Sequence, residues 1–256
     1  MLLLVNSTKT MSLEGPLPAR LAPTEPAFAV EAGHLAAALR ALSAARLARA
    51  QGVTGDLADR ARGELARWGA EGRPRRPAVF AFTGLVYQGL APGGFAAPVR
   101  RRAAARLRIL SGLYGVLRPF DLVEAYRLEM GSPLGPDRAA NLAAWWKPRL
   151  TAALDAELAD GEPVITVAAQ EYMKAVDVRA LKGPVISPVF KEERPDGSLK
   201  TVTVHAKKAR GALLRFALVS GARRPADLLG FDEDGWAAAG PPPERGDWLF
   251  TRPERG

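Results

Sequence analysis

The stretch LRILSGLYGVLRPFDLVEAYRLEMG, residues 107–131, sets the expectations for the rest of the chain. Its first apolar residues, Leu107, Ile109 and Leu110, indicate the end of a helix, which Gly112 and Gly115 then break because glycine adopts backbone angles that other residues avoid. From 125 to 130 apolar and charged residues alternate, which places Arg127 and Glu129 on the same side of an extended segment. An arginine and a glutamate opposite so much apolar surface predict a functional site.

The composition is that of an ordinary globular protein and excludes several kinds of site. The 256 residues include no cysteine, which rules out disulfides, thiolate zinc sites and cysteine nucleophiles. Since His34 and His205 are the only histidines, we expect no metal site and no cofactor. The chain becomes polar at Asn6, too early for a signal peptide or a membrane span, so we expect a cytoplasmic protein without a membrane partner. Oligomeric state is left open.

Short apolar runs alternate with helical periods along the chain, and this alternation predicts the fold class. The expected buried strands are residues 2–5, 78–82, 164–168 and 185–190, and residues 201–205 alternate as a fifth strand. We therefore predict an α/β (mixed α+β) protein, a single domain over residues 1–256, with a central mixed sheet of at least five strands flanked by helices.

A run of arginines precedes the central stretch, and its role stays open between two interpretations. Arg102 and Arg106 are four residues apart on one helical face, where like charges repel unless an anion lies nearby. The run indicates either a solvated basic face or a surface for a polyanion, and the net charge of +9 agrees with the second.

Polar residues follow three of the apolar runs at the points where the strands should end. In α/β sheets a ligand crevice lies beyond the carboxyl ends of parallel strands, so these residues are expected at one edge. Lys207 and Lys208 also open an expected helix, where backbone N–H groups and ammonium groups converge on an anion; surface lysines with no ligand are the alternative. The predicted phosphate-binding residues are Lys9, Arg127, Lys174, Lys207, Lys208 and Arg210.

Two carboxylates and one lysine near this edge are candidates for catalysis. Glu129 and Glu171 have apolar neighbours, and burial raises the pKa of a carboxylate toward the range of a general base. Lys9, with other lysines nearby, is a candidate nucleophile toward a sugar carbonyl. For Arg127 and Glu129, a purely structural ion pair is the alternative.

Several motifs together resemble the YaaA family of bacterial peroxide-stress proteins. They are the residues 6–10, NSTKT; the segment from Phe82 to Leu90; the central stretch 107–131; the residues 171–174, EYMK; and the residues 206–211, AKKARG. These motifs occur in the family's order over nearly the whole chain. The resemblance implies a single mixed α/β domain with a basic cleft and a helix-hairpin-helix-like element, which would fall at Ser111–Val116.

The resemblance also implies a function, namely DNA binding and limitation of free-iron damage under hydrogen peroxide. DNA would be bound by its backbone, without base reading. The residues assigned to this contact are Arg102, Arg106, Arg108, Ser111, Gly112, Gly115 and Arg118.

Two classes of function remain possible for this sequence. One is a DNA-binding protein; the other is an enzyme that acts on a phosphorylated, nucleoside-like or DNA substrate in a pocket of lysine, arginine and glutamate. A small phosphorylated ligand is the partner that the second class requires. An enclosed pocket shared by Lys9, Arg127, Glu129, Glu171 and Lys207 would favour the enzyme, and a spread along an open groove would favour the binding protein.

Overall fold

A mixed sheet of eight strands forms the centre of the molecule, as the sequence predicts. The computed structural model describes residues 1–254. The strands are β1 (Leu2–Asn6), β2 (Arg76–Pro77), β3 (Leu107–Ser111), β4 (Gly115–Leu117), β5 (Leu122–Val123), β6 (Val164–Thr166), β7 (Val185–Glu193), β8 (Leu199–Lys200), β9 (Ala237–Ala238) and β10 (Gly246–Pro253). The order in the sheet is β4-β3-β1-β6-β7-β10-β9, with β8 added to β7, while β2 and β5 pair separately.

Helices flank the sheet. They are α1 (Ala29–Arg40), α2 (Ala44–Gln51), α3 (Gly55–Arg67), α4 (Ala78–Ala81), α5 (Leu85–Leu90), α6 (Ala97–Arg106), α7 (Leu142–Glu157), α8 (Gln170–Met173) and α9 (Thr203–Ser220). Short 3-10 helices occupy Pro92–Gly94, Pro136–Arg138, Pro225–Gly230 and Glu233–Gly235. Within residues 1–254, no helix has the length and apolar content to cross a membrane. The predicted mixed α/β class is confirmed; the predicted domain bounds, 1–256, stay a prediction.

Two of the predicted strands are wrong, and both errors come from apolar pattern alone. Residues 78–81 form the helix α4, in which Ala78, Val79 and Ala81 are buried and Phe80 is half-buried. A short, wholly apolar run does not distinguish a buried strand from a buried helix. The second error is the strand predicted at 201–205. The strand in this part of the chain is β8, whose residues Leu199 and Lys200 pair with β7, and the helix α9 already begins at Thr203.

The central stretch contains a β-hairpin where a helix end and a helix-hairpin-helix-like element were expected. Residues Leu107–Ser111 form β3, and Gly115 starts β4, which pairs antiparallel to it. A Cβ atom on Gly112 would lie 2.2 Å from the carbonyl oxygen of Leu128, so the turn packs directly on the following backbone. The helix-hairpin-helix prediction is therefore wrong at this segment, since strand pairing satisfies its backbone instead of helical turns.

The connections of the sheet change direction between β1 and β6. From β1 the next strand of this sheet along the chain is β3, on one side, whereas β6 is followed by β7 on the other side. β1 pairs in parallel with both β3 and β6. Such a switch point leaves a crevice beyond the carboxyl ends of the two strands, here just after Asn6 and Thr166.

A pair of glycines lets α5 and α9 touch backbone to backbone. A Cβ atom on Gly211 would lie 1.8 Å from the carbonyl oxygen of Val86, and one on Gly89 would lie 2.0 Å from that of Lys208. No side chain fits at these distances, so the two helices would have to separate.

We expect Gly211→Ala to lower the free energy of unfolding by about 1–3 kcal/mol, the usual cost of overpacking a core. The control is Gly33→Ala in α1, where nothing lies within 4 Å of the added atom. This second change should stabilise the protein by about 0.5–1 kcal/mol because alanine has the better helix propensity. Denaturant unfolding of both variants checks the pair; equal effects would refute the backbone contact.

Candidate functional site

The crevice at the switch point is held together by Asn6. Its Oδ1 accepts a hydrogen bond from the backbone N–H of Ala169 at 2.9 Å, which links the end of β1 to the segment after β6. Its own carbonyl oxygen accepts from the hydroxyl of Tyr87 at 3.2 Å. Asn6 therefore fixes the positions from which the residues after β1 and β6 enter the crevice.

Lysines and carboxylates gather above this crevice. Lys9 Nζ lies 2.9 Å from Glu129 Oε2, and the two side chains are 55% and 27% exposed. Burial raises the pKa of Glu171, the charge of Glu129 raises it further, and Lys9 opposes the rise together with Lys174 and Lys207. Glu171 is thus surrounded by the other four charges. We call these five residues, Lys9, Glu129, Glu171, Lys174 and Lys207, the lysine–carboxylate cluster.

Two tyrosines beside the lysine–carboxylate cluster, the buried Tyr172 and the half-buried Tyr126, are hydrogen-bonded to serines. The hydroxyls of Tyr172 and Ser7 are hydrogen-bonded at 3.2 Å, and those of Tyr126 and Ser111 at 2.7 Å. Burial raises the pKa of both tyrosines, and the nearby Glu129 and Glu171 raise that of Tyr172 as well. These phenols stay protonated and act as neutral hydrogen-bonding groups. Ser7 and Tyr172 were not among the predicted site residues, although Ser7 directly follows β1.

The cluster is only partly the pocket that was predicted. Lys9, Glu129, Glu171, Lys174 and Lys207 come together, but on an open surface where Lys9, Glu171 and both other lysines are exposed.

Arg127 does not join the cluster. It lines a small cavity beside Gln51 and Trp68, where its Nε has no hydrogen-bond partner among residues 1–254. The alternative ion pair between Arg127 and Glu129 is also wrong, because Glu129 pairs with Lys9.

The proposed anion site at the start of the Lys207 helix is wrong in its geometry. α9 begins at Thr203, so Lys207 and Lys208 lie in its second turn, away from the unpaired N–H groups of the first turn. Lys208 lines a groove with Gln88 and Arg215, and Arg210 lines a different, larger cleft. The spacing of these cations on α9 therefore separates them.

The repelling pair Arg102 and Arg106 has a partner inside the protein. Arg102 donates to the carbonyl oxygens of Leu218 and Val219 at 2.6 and 2.9 Å, and Arg106 donates to that of Ala217 at 3.5 Å. These are the last carbonyls of α9, where the helix dipole carries partial negative charge. The sequence predicted a negative charge near this pair of arginines, and the structure places the C-terminal end of α9 there.

Other residues assigned to DNA contact are buried. Arg108 is 5% exposed and forms an ion pair with Glu157 at 2.5 Å. Ser111 is fully buried, and Gly112 and Gly115 lie in the same buried hairpin. These four residues therefore present no exposed surface to a DNA backbone in this structure, and their assignment to DNA contact stays a prediction. Of the predicted DNA contacts, Arg118 is exposed and Arg102 and Arg106 are half-buried.

An arginine groove lies at the opposite edge of the sheet from the lysine–carboxylate cluster. It has a volume of about 550 Å³ and is lined by Arg101, Arg102, Arg106 and Arg223, next to Met1 at the amino end of β1. The N-terminal ammonium group of Met1 pairs with Glu162 at 2.5 Å, which neutralises both. The arginine groove is thus separate from the lysine–carboxylate cluster.

Residues 1–254 contain no group of three histidine, aspartate or glutamate side chains arranged to hold a metal ion.

Comparison with known proteins identifies the family. Residues 1–240 match the family described as peroxide stress protein YaaA. The chain belongs to this family. Relatives called UPF0246 proteins include one from Flavobacterium johnsoniae, 39% identical over 92% of this chain and 94% of the relative, and one from Dinoroseobacter shibae, 41% identical over 92% of this chain and 89% of the relative. Another, from Alcanivorax borkumensis, is 37% identical over the full length of both chains. The resemblance to the YaaA family is confirmed, and the family's description supports a role in the stress response.

Proposed function

We propose that this YaaA-family protein acts in the peroxide-stress response by binding the DNA backbone through its arginine groove. The observation that carries the proposal is the net positive charge of that groove, where the nearby carboxylate of Glu162 already pairs with the ammonium group of Met1. Arg102 and Arg106 donate to neutral carbonyl groups, so their guanidinium charges persist. The side chains of Arg101 and Arg223 have no hydrogen-bond or ion-pair partner within residues 1–254. Four such charges suit a row of phosphates.

The arginines of the groove also repel one another. Burial lowers the pKa of Arg106, and the charges of Arg102 and Arg223 lower it further. A bound phosphate would relieve this repulsion, and contacts to phosphate carry no sequence information. Binding is therefore expected to be independent of DNA sequence. From the family resemblance we extend the proposal to a cytoplasmic location and to limitation of free-iron damage.

Salt dependence tests the DNA-binding proposal. We expect affinity for duplex DNA to fall steeply with added salt, because each phosphate contact releases a counterion. The double change Arg101→Glu with Arg223→Glu should weaken binding to all sequences alike and reduce the salt slope by about one for each phosphate that is no longer bound. These two positions are chosen because Arg102 and Arg106 also hold the end of α9.

The matched control is Arg60→Glu with Arg62→Glu, which makes the same charge change on exposed positions of α3. Fluorescence anisotropy at several salt concentrations measures all three proteins. Affinity that ignores salt, or an equal loss in both double variants, would rule out the arginine groove as the DNA site.

A second candidate function is an enzyme whose site is the lysine–carboxylate cluster. The observation that favours it is Glu171, a carboxylate whose pKa is raised by burial and by Glu129 at the switch point of the sheet. In this candidate Glu171 is the general base. Lys174 and Lys207 hold a phosphate group, and Lys9 orients or attacks the substrate. A protein that only holds DNA has no use for two carboxylates that repel phosphate.

A further inference from the structure

A cleft of about 1000 Å³ opens where β6 ends and β7 continues. Its walls include Thr166 and Met173 on one side, Val189 in β7, and Arg245 and Asp247 at the start of β10. β6 pairs with β7 only at Val185 and Ile186, and β8 pairs with the same edge again at Glu192 and Glu193, which leaves residues 187–191 of that edge uncovered. This volume lies at the upper end of the range for small-molecule sites, and such sites favour the carboxyl ends of parallel strands.

Arg210 of α9 lines the cleft without a partner. Its Nε is buried and has no hydrogen-bond partner among residues 1–254. Burial lowers the pKa of Arg210 below its usual value, so the unpaired charge has a cost. Buried polar groups are almost always hydrogen-bonded, and an orphaned one in a cleft points to a missing ligand.

The remaining charges of the cleft are mostly positive. Arg179, Lys182 and Arg245 line it, against the single carboxylate of Asp247. Lys182 forms an ion pair at 3.7 Å with Asp155, a residue that does not line the cleft. The unneutralised cations are thus arginines, whose planar forks match the oxygens of a phosphate group.

Apolar side chains form part of the remaining wall, beside the polar residues Thr166, Gln170 and Ser187. Val167, Met173 and Val189 are among the side chains that line it. An inorganic ion would leave this surface in contact with water, whereas an organic group would cover it. We propose that the cleft binds a small organic phosphate of mononucleotide size, with its phosphate group on Arg210 and its organic part against the apolar wall.

This site is separate from the arginine groove and does not rest on DNA binding. It adjoins the lysine–carboxylate cluster across α8, because Gln170 and Met173 line the cleft while Glu171, between them in the chain, belongs to the cluster.

Titration calorimetry in phosphate-free buffer tests the proposal with three probes: adenosine 5′-monophosphate, ribose 5-phosphate and adenosine. We expect saturable binding of adenosine 5′-monophosphate and at least tenfold weaker binding of uncharged adenosine. Arg210→Met should weaken adenosine 5′-monophosphate binding at least tenfold, without lowering the melting temperature, since it removes an unpaired buried charge. Arg245→Met, at an exposed position, should weaken it in the same direction.

The control is Lys147→Met, which removes a positive charge from an exposed position of α7 outside the cleft and should leave affinity unchanged. The proposal is overturned if neither phosphate ester binds saturably, if adenosine binds as tightly as its phosphate, or if the Arg210 and Arg245 variants both bind normally. Duplex DNA affinity is measured on the same proteins. If only the double variant of Arg101 and Arg223 loses DNA binding, the result supports the arginine groove as the DNA site. If that variant binds DNA normally, the result refutes the groove proposal and leaves the cleft proposal unaffected.

Discussion

Replacing Arg252 with Met is expected to destabilise the protein by about 3–5 kcal/mol, the cost of breaking a buried ion pair by removing one partner. Arg252 and Glu192 are each 1% exposed in their side chains, and Arg252 Nη2 lies 2.6 Å from Glu192 Oε1. The two residues face each other across the parallel pair β7–β10. Arg252 also contacts Asp234 and lies over the ring of Trp236 at 4.5 Å.

The destabilisation should depend on pH. Burial alone would raise the pKa of Glu192, but hydrogen bonds from Arg252 and His205 outweigh it and hold the pKa below its usual value. The wild-type protein therefore has this contribution above the unfolded pKa, about 4.3, and loses it as the pH falls through the folded value. Without Arg252 the pKa of Glu192 should rise. As the pH falls, Glu192 is therefore protonated at a higher pH in the variant than in the wild type, and protonation removes the unpaired buried charge. For both reasons, the difference in the free energy of unfolding between the wild type and the variant should become smaller as the pH falls.

Urea unfolding at several pH values measures this difference, with two comparison proteins. Arg224→Met breaks an exposed pair with Asp227, in which Arg224 is 78% exposed, and should cost at most about 1 kcal/mol. Arg252→Met combined with Glu192→Met removes both charges and should recover most of the stability. If the single and double variants are equally unstable, packing rather than an unpaired charge explains the loss.

The sequence predicts a strand correctly where a short apolar run lies in the central sheet. Residues 2–5 are apolar and short, and they form the central strand β1. The run 78–82 has the same appearance, but its residues 78–81 form α4, because a short apolar pattern alone does not distinguish a buried strand from a buried helix. α1 and α2 are separate helices, because Ser43 accepts a hydrogen bond from the N–H of Arg46 and caps the second.

The positions of the site residues could be predicted from the sequence where they depend on the order of the strands. They could not be predicted where they depend on the direction of a side chain. Lys9 and Glu171 lie in the segments that follow β1, which ends at Asn6, and β6, which ends at Thr166, so their convergence follows from parallel pairing. Arg127 and Glu129 share a side only in a regular strand, and the segment from 124 to 129 is irregular, which sends Arg127 elsewhere. The partner of Arg102 and Arg106 lies more than 100 residues away at the end of α9, a contact that no local pattern indicates.

Lys9→Ala and Glu171→Gln are expected to abolish protection against hydrogen peroxide in cells if the lysine–carboxylate cluster is catalytic. Removing a general base lowers turnover by about 10²–10⁴-fold, and Glu171 has the raised pKa that this role requires. Lys9 forms a half-exposed ion pair with Glu129, so its removal should cost the fold at most about 1 kcal/mol. Neither residue lies in the arginine groove, so affinity for duplex DNA should change less than about twofold.

Survival after peroxide exposure is compared between strains that produce each variant at equal level, and DNA affinity is measured on the purified proteins. The controls are Lys147→Ala and Glu14→Gln, which make the same chemical changes at exposed positions outside both sites and should protect like the wild type. The arginine-groove variant completes the comparison, because it removes DNA binding and leaves the cluster intact. If the cluster variants protect normally and protection follows DNA affinity across the whole set, the cluster has no chemistry of its own and the binding function stands alone.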